Sequence, residues 1–150
     1  MRIFLALAMG GALISATKVR AQEAGARDSA AVAAVVDGFR GALARGDSAG
    51  AMELLGSDAI VMEGGGVERR AEYAAGHLAA DMSFLGRMHS EILFRKVTVS
   101  GATAWVGTTS RTTGEYHGTD LELESAESMV LSLGPGGWRI RAIHWSSARR

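Results

Sequence analysis

Five side chains in this sequence could do proton or metal chemistry together: Glu63, His77, Asp81, Glu127 and His144. His77 and Asp81 lie four residues apart in a stretch with helical spacing, so they are neighbours on one face. Three chemistries suit that spacing. A carboxylate can fix the tautomer of a histidine so that the other ring nitrogen acts as a base. The same pair, with His144 as a third donor and Glu63 or Glu127 completing the shell, has the composition of a metal site. Or the two form a structural pair that closes the fold. Glu63 ends an apolar run at Gly64–Gly66, either as a catalytic base or as a strand-end carboxylate bonded to turn amides. Glu127 sits on an otherwise largely apolar strand face and needs a partner, because burying a lone carboxylate is costly.

The elements that must position these groups can be read in order. Val32, Val35, Val36, Phe39 and Leu43 recur at helical spacing after a cap at Asp28 or Ser29. Gly46 ends that helix and Asp47 caps a short second one. Ala59 to Glu63 reads as a strand, and the three glycines after it as a sharp turn; no lysine or helix start follows them as a phosphate loop would require. A third helix is expected over 71–82, with Ala74, Leu78, Met82 and Leu85 facing a core. Tyr73, His77, Asp81 and Phe84 form a mixed stripe suited to a pocket wall.

Strands are expected at 91–99, 102–115, 121–133 and 136–147, the last entered through a Gly-Pro-Gly-Gly turn. On that strand Trp138, Ile140, Ala142 and His144 share one face by alternation, which aims His144 into the cavity. Ile143 and Trp145 then fall on the arginine face, making Trp145 a candidate dimer contact. Trp105 is a further candidate for the cavity wall, with core or interface as its alternative. Arg111 lines the cavity or lies on the solvent face. Helices followed by an antiparallel meander make an α+β domain with helices packed on one side of a sheet.

Composition narrows the function classes. The chain has 150 residues, 16 basic and 16 acidic, with no cysteine and no basic stripe interleaved with aromatics, so nucleic acid is not expected as a partner. Arg2, the apolar run 3–16 and Val19-Arg20-Ala21 have the pattern of a secretory signal over 1–21, cut before Gln22. This implies a periplasmic or secreted protein that is free of the membrane after cleavage. The segment carries three bases and no acid, leaving 13 basic against 16 acidic residues in the remainder. Residues 22–28 are expected to be a flexible leader, 29–147 the domain and 148–150 a frayed tail.

The stretches AVVDGFRGALARGDSAGAMELLGSDAIVMEGGG (34–66), ESMVLSL (127–133) and GGWRIRAIHWSS (136–147) carry a resemblance to the nuclear-transport-factor-two-like superfamily. That superfamily includes SnoaL-like cyclases, ketosteroid isomerases and the association domain of calcium/calmodulin-dependent kinase. The resemblance implies a cone: a strongly curved sheet wrapped over three helices, a ligand cavity inside, and often a homodimer through the outer sheet face. It puts Glu63 where the isomerases hold their aspartate base, and Phe39 where they hold the oxyanion-hole tyrosine. A phenyl ring has no hydroxyl to donate, so steroid isomerisation by that route is not expected. Glu127 and His144 match places in the last two strands of the kinase domain, while Met129 stands where that domain has an arginine.

The expectation is therefore a small-molecule-binding protein, with Glu63, His77, Asp81 and His144 as acid–base residues. Tyr73, Phe39, Trp105, Arg111 and Glu127 would contact the ligand, with no cofactor. Three carboxylates against two histidines favour a polar or cationic ligand. The alternatives are a non-catalytic binding or assembly domain, and a metal-dependent enzyme using His77, Asp81 and His144.

Overall fold

The computed structural model describes the backbone of residues 10–149 and the side chains of 22–149. Residues 1–9 of the expected signal segment lie outside the described residues, as do the side chains of 10–21. The first helix, α1, spans Gly10–Arg45 and buries Val32, Val36, Phe39 and Leu43 along one stripe. The segment 22–28, expected as a leader, continues this helix. Gly46, at φ 70°, ends it by turning the chain left-handed, and the Asp47 amide returns to the Ala42 carbonyl at 2.9 Å. The Asp47 side chain then accepts from the Gly50 amide at 2.8 Å, capping α2 (Ser48–Leu54).

Strand β1 (Leu55–Glu63) reverses at Gly64 and Gly65, both at positive φ, into a short β2 (Gly66–Arg69). Two left-handed residues in a row suit a two-residue hairpin turn. The expected third helix is broken in two, α3 (Arg70–Ala75) and α4 (His77–Leu85), with Gly76 (φ −117°, ψ −94°) between them. Four strands complete the chain: β3 (His89–Ser100), β4 (Thr103–Tyr116), β5 (Thr119–Gly134) and β6 (Gly137–Arg149). The sheet order is β2-β1-β6-β5-β4-β3, antiparallel throughout except for the parallel β1–β6 pair. The expected 148–150 tail is paired to its penultimate residue, Arg149 opposite Leu123. Among the described residues no helix is long and apolar enough to cross a membrane.

Two bulges decide which residues face the helices. In β6 the pairing slips between Ile140 and Ala142, leaving Arg141 as the extra residue. Ile140 and Ile143 are both fully buried, so strict alternation fails at Arg141 and everything after it changes face. In β3 the slip falls at Leu93 and turns Ser90 toward the side of Thr112. The inner face is consequently split. Ala104, Val106, Met129, Leu131, Ile140 and Ile143 form a dry half under α1 and α2. The other half is polar, with Ser110, Ser125 and Ser147 side by side on three strands.

This register makes a direct prediction for equilibrium unfolding in urea. Ile143→Ala should cost about 2–5 kcal/mol by emptying a buried site, and His144→Ala less than about 0.5 kcal/mol as a surface change. The opposite ranking would restore the strict alternation of β6.

Candidate functional site

The polar half of the inner face, roofed by α1 and α4, bounds a cavity of about 370 Å³. Arg40 from α1, Asp81, Phe84 and Leu85 from α4, Glu63 at the end of β1, and Glu127 and Trp145 from the sheet all border it. Glu127 is the most enclosed of the charged groups, with 4% of its side chain exposed. Its Oε2 accepts from Arg40 Nη1 at 3.2 Å and from Trp145 Nε1 at 2.8 Å. Arg40 Nη2 donates to Ser90 Oγ at 3.2 Å, which in turn lies 3.2 Å from Thr112 Oγ1. The Trp145 ring is stacked on Phe39 (centroids 6.4 Å apart, planes 17° apart) and tilted against Tyr73. Trp145 is thus an interior residue and not an outer dimer contact; the Arg141 bulge turned it inward.

Asp81 borders the same cavity from α4. Tyr73, fully buried, donates its hydroxyl to Asp81 Oδ2 at 2.8 Å. Burial raises the Asp81 carboxyl to a pKa of about 6; the Tyr73 bond opposes that rise, and the nearby Glu63 charge adds to it. Burial and the Asp81 carboxylate push the Tyr73 hydroxyl well above its usual range. Asp81 also borders a second hollow of about 380 Å³, shared with Glu63, Gly64, Glu68, Tyr73 and His77.

Several expected partnerships are replaced. His77 pairs with Glu68 of β2, Nδ1 to Oε2 at 2.6 Å, and Asp81 with Tyr73. His77 opens α4 after the Gly76 break, so its side chain reaches the β1–β2 hairpin. The Glu68 bond and charge raise the His77 pKa, but the ring is largely exposed. His144 is exposed on the outer face opposite Ser128, the consequence of the bulge. The proposed His77–Asp81–His144 metal set does not converge: among the described residues no group of three or more His, Asp or Glu is placed to hold a metal ion.

Trp105, 47% exposed, and Arg111, 3.7 Å from Glu122, lie on the outer face between the inward Ala104, Val106, Ser110 and Thr112. Neither forms the cavity wall. Phe39 is buried under Trp145, and Tyr73 borders the second hollow rather than the main cavity. Glu63, Asp81 and Glu127 do border one cavity. Arg40 and Glu68 were not anticipated. Arg40 follows Phe39 and is spaced i+4 from Val36 and i−3 from Leu43, a position beside the buried stripe. Glu68 follows a Gly-Gly pair that has hairpin character.

A family model for the SnoaL-like domain matches residues 32–150. The chain belongs to the SnoaL-like family. Among solved structures it is similar to a candidate ketosteroid isomerase from Shewanella frigidimarina, at 34% identity and TM-score 0.75, covering 77% of this chain and 94% of that one. Two more distant likenesses show the fold alone. A candidate dehydratase of the NTF2-like family from Streptomyces avermitilis is 20% identical, with TM-score 0.71, over 83% and 98% of the two chains. The association domain of the C. elegans calcium/calmodulin-dependent kinase II is 18% identical, with TM-score 0.69, over 83% and 98%. A search of curated proteins finds no match. The SnoaL-like cone, with its curved sheet and N-terminal helices, is the fold the sequence led us to expect.

The raised Asp81 pKa has a stability consequence. Its folded-state value lies above the ordinary 3.8, so ionisation opposes folding. The penalty is absent below about pH 4 and complete above about pH 6. Asp81→Asn keeps an acceptor for the Tyr73 hydroxyl and removes the charge. It should therefore melt higher than the wild type near pH 7.5, with the difference vanishing toward pH 4 in paired thermal scans.

Proposed function

We propose that this SnoaL-like protein binds a small polar or cationic organic molecule in the cavity between α4 and the sheet, and that Asp81 exchanges a proton with it. The observation that carries this reading is Asp81 itself. It is a carboxyl on the cavity border with one oxygen fixed by Tyr73, and it titrates near pH 6 because it is partly buried beside another carboxylate. A group that titrates near neutrality serves proton transfer in both directions. Glu63 contributes charge at the opening, and the Trp145–Phe39 stack forms a rigid aromatic wall. Removing a proton from carbon would also require a donor for the developing oxyanion. Phe39 has no hydroxyl to supply, so that donor would have to come from the hydroxyls that border the cavity, Ser110, Thr112 and Tyr116 among them.

Screening small amines, alcohols and acids by thermal shift near pH 7.5 should yield a stabiliser worth about 5–10 °C at a hundredfold excess over its Kd. Ala80→Phe, on the cavity border, should abolish the shift. The affinity should change with an apparent pKa near 6, and that dependence should be lost in Asp81→Asn. Stabilisation that survives Ala80→Phe would move the site elsewhere.

The outer face supports homodimerisation as part of the same reading. Phe94 is 57% exposed, and Trp105 (47%) and Val130 (39%) are paired neighbours on adjacent strands. Apolar side chains grouped on an open sheet face call for cover. Light scattering coupled to size exclusion should give a dimer mass for the wild type and a monomer mass for Trp105→Glu with unchanged circular dichroism. Export to the periplasm, with cleavage before Gln22, belongs to the reading too and is checked by N-terminal sequencing of the exported protein.

A further inference from the structure

We propose that Glu127 selects the ligand: its Oε1 accepts from the ammonium group of a small primary amine whose apolar body fills the rest of the cavity. This rests on the cavity being the binding site, as argued above. Glu127 is nearly enclosed yet borders the cavity. Its two oxygens are treated unequally. Oε2 takes both protein donors, Arg40 and Trp145, whereas Oε1 is buried with no hydrogen-bond partner among the described residues. The cross-strand neighbour Thr108 does not relieve it, since the Thr108 hydroxyl is itself buried and without a partner.

A buried carboxylate oxygen with nothing to accept is costly to leave. The terminal torsion of a glutamate is soft, so a small turn presents Oε1 to a donor on the cavity side. Charge decides which donor. Four charged side chains border the cavity, Arg40, Glu63, Asp81 and Glu127. The one cation among them already serves Glu127 and Ser90, so the remaining field is negative. A carboxylate ligand would set lone pairs against Oε1, and an alcohol would satisfy it without using the field. An ammonium does both, and Ser110 and Ser125 on the same wall can accept its other N–H groups. Leu43, Phe84, Leu85 and Leu123 supply apolar contact for the body.

The probes are three compounds of one shape: 2-phenylethylamine, 2-phenylethanol and 3-phenylpropionate, titrated calorimetrically near pH 7.5. The wild type should bind the amine about tenfold or more tighter than the alcohol, with the acid weakest. Glu127→Gln keeps an acceptor for Trp145 and should bring amine and alcohol to within about twofold. Equal binding of amine and alcohol by the wild type, or preference for the acid, overturns the inference and leaves the cavity as a binding site. Binding of none of the three overturns both. An amine preference that persists in folded Glu127→Gln also overturns it. Should that variant not fold, Glu63→Gln/Asp81→Asn decides: the amine preference should survive there, and its loss assigns selection to the opening instead.

Discussion

A carboxylate buried in the inner face of the sheet sets the terms for everything around it. Glu127 is held by a guanidinium from α1 and an indole from β6, and the same guanidinium reaches Ser90 on β3. One charge thereby ties the long helix to three strands that are distant in sequence. Such a pair is a poor source of net stability, because desolvating both charges consumes most of their attraction. Removing one partner is a different matter, costing about 3–5 kcal/mol through the charge left behind. The cluster therefore constrains geometry more than it adds stability: α1 can sit on the sheet only where Arg40 meets Glu127.

That meeting depends on the Arg141 bulge. Without the extra residue, Trp145 would face outward, Glu127 would lose its indole donor, and Phe39 would lose the ring stacked on it. The bulged Arg141 is itself anchored, with Nη1 2.8 Å from Asp58 Oδ1 on the adjacent β1, where pairing also slips. Bulges bend a strand and sharpen its twist, so the feature that turns Trp145 inward also helps curve the sheet away from α4. The apolar half of the inner face closes on α1 and α2. The serine-rich half gains little by packing against apolar helices, and there the layers stay apart.

The architecture was legible because it rests on periodicities that survive local irregularity. The Val32–Leu43 stripe, the glycine and aspartate between α1 and α2, and the strand order on either side of Gly-Pro-Gly-Gly all emerge from spacing and turn chemistry. What misled was parity. One inserted residue reverses every later side chain of a strand; the apolar Ile143 and Trp145 falling on the arginine face were the mark of the insertion at Arg141, and strict alternation read them as outward instead. His144 was lost to the site and Trp145 gained for that reason alone. The His77–Asp81 pairing failed for a related one. Helical neighbours meet only if nothing better is in reach, and β2, four residues long, brought Glu68 closer. Arg40 was overlooked because a charged residue beside an apolar stripe usually reaches solvent; here a buried carboxylate waits for it across the fold.

Two of the three carboxyl groups that border the cavity illustrate how one fold gives the same chemistry different surroundings. Glu127 has a cation within hydrogen-bond distance, and Asp81 has only a neutral hydroxyl, with Glu63 and Glu68 adding negative charge nearby. Glu127 is held in place by its two donors, whereas burial without a cation alongside makes protonation of Asp81 easier near neutral pH. The first suits holding a ligand in orientation and the second suits moving a proton. Both border one cavity, and under the function proposed above one acid would hold the ligand while the other exchanges its proton. The cone itself does not dictate this division, since the same architecture is shared with a kinase association domain. It arises from which carboxyl the long helix happens to supply with an arginine.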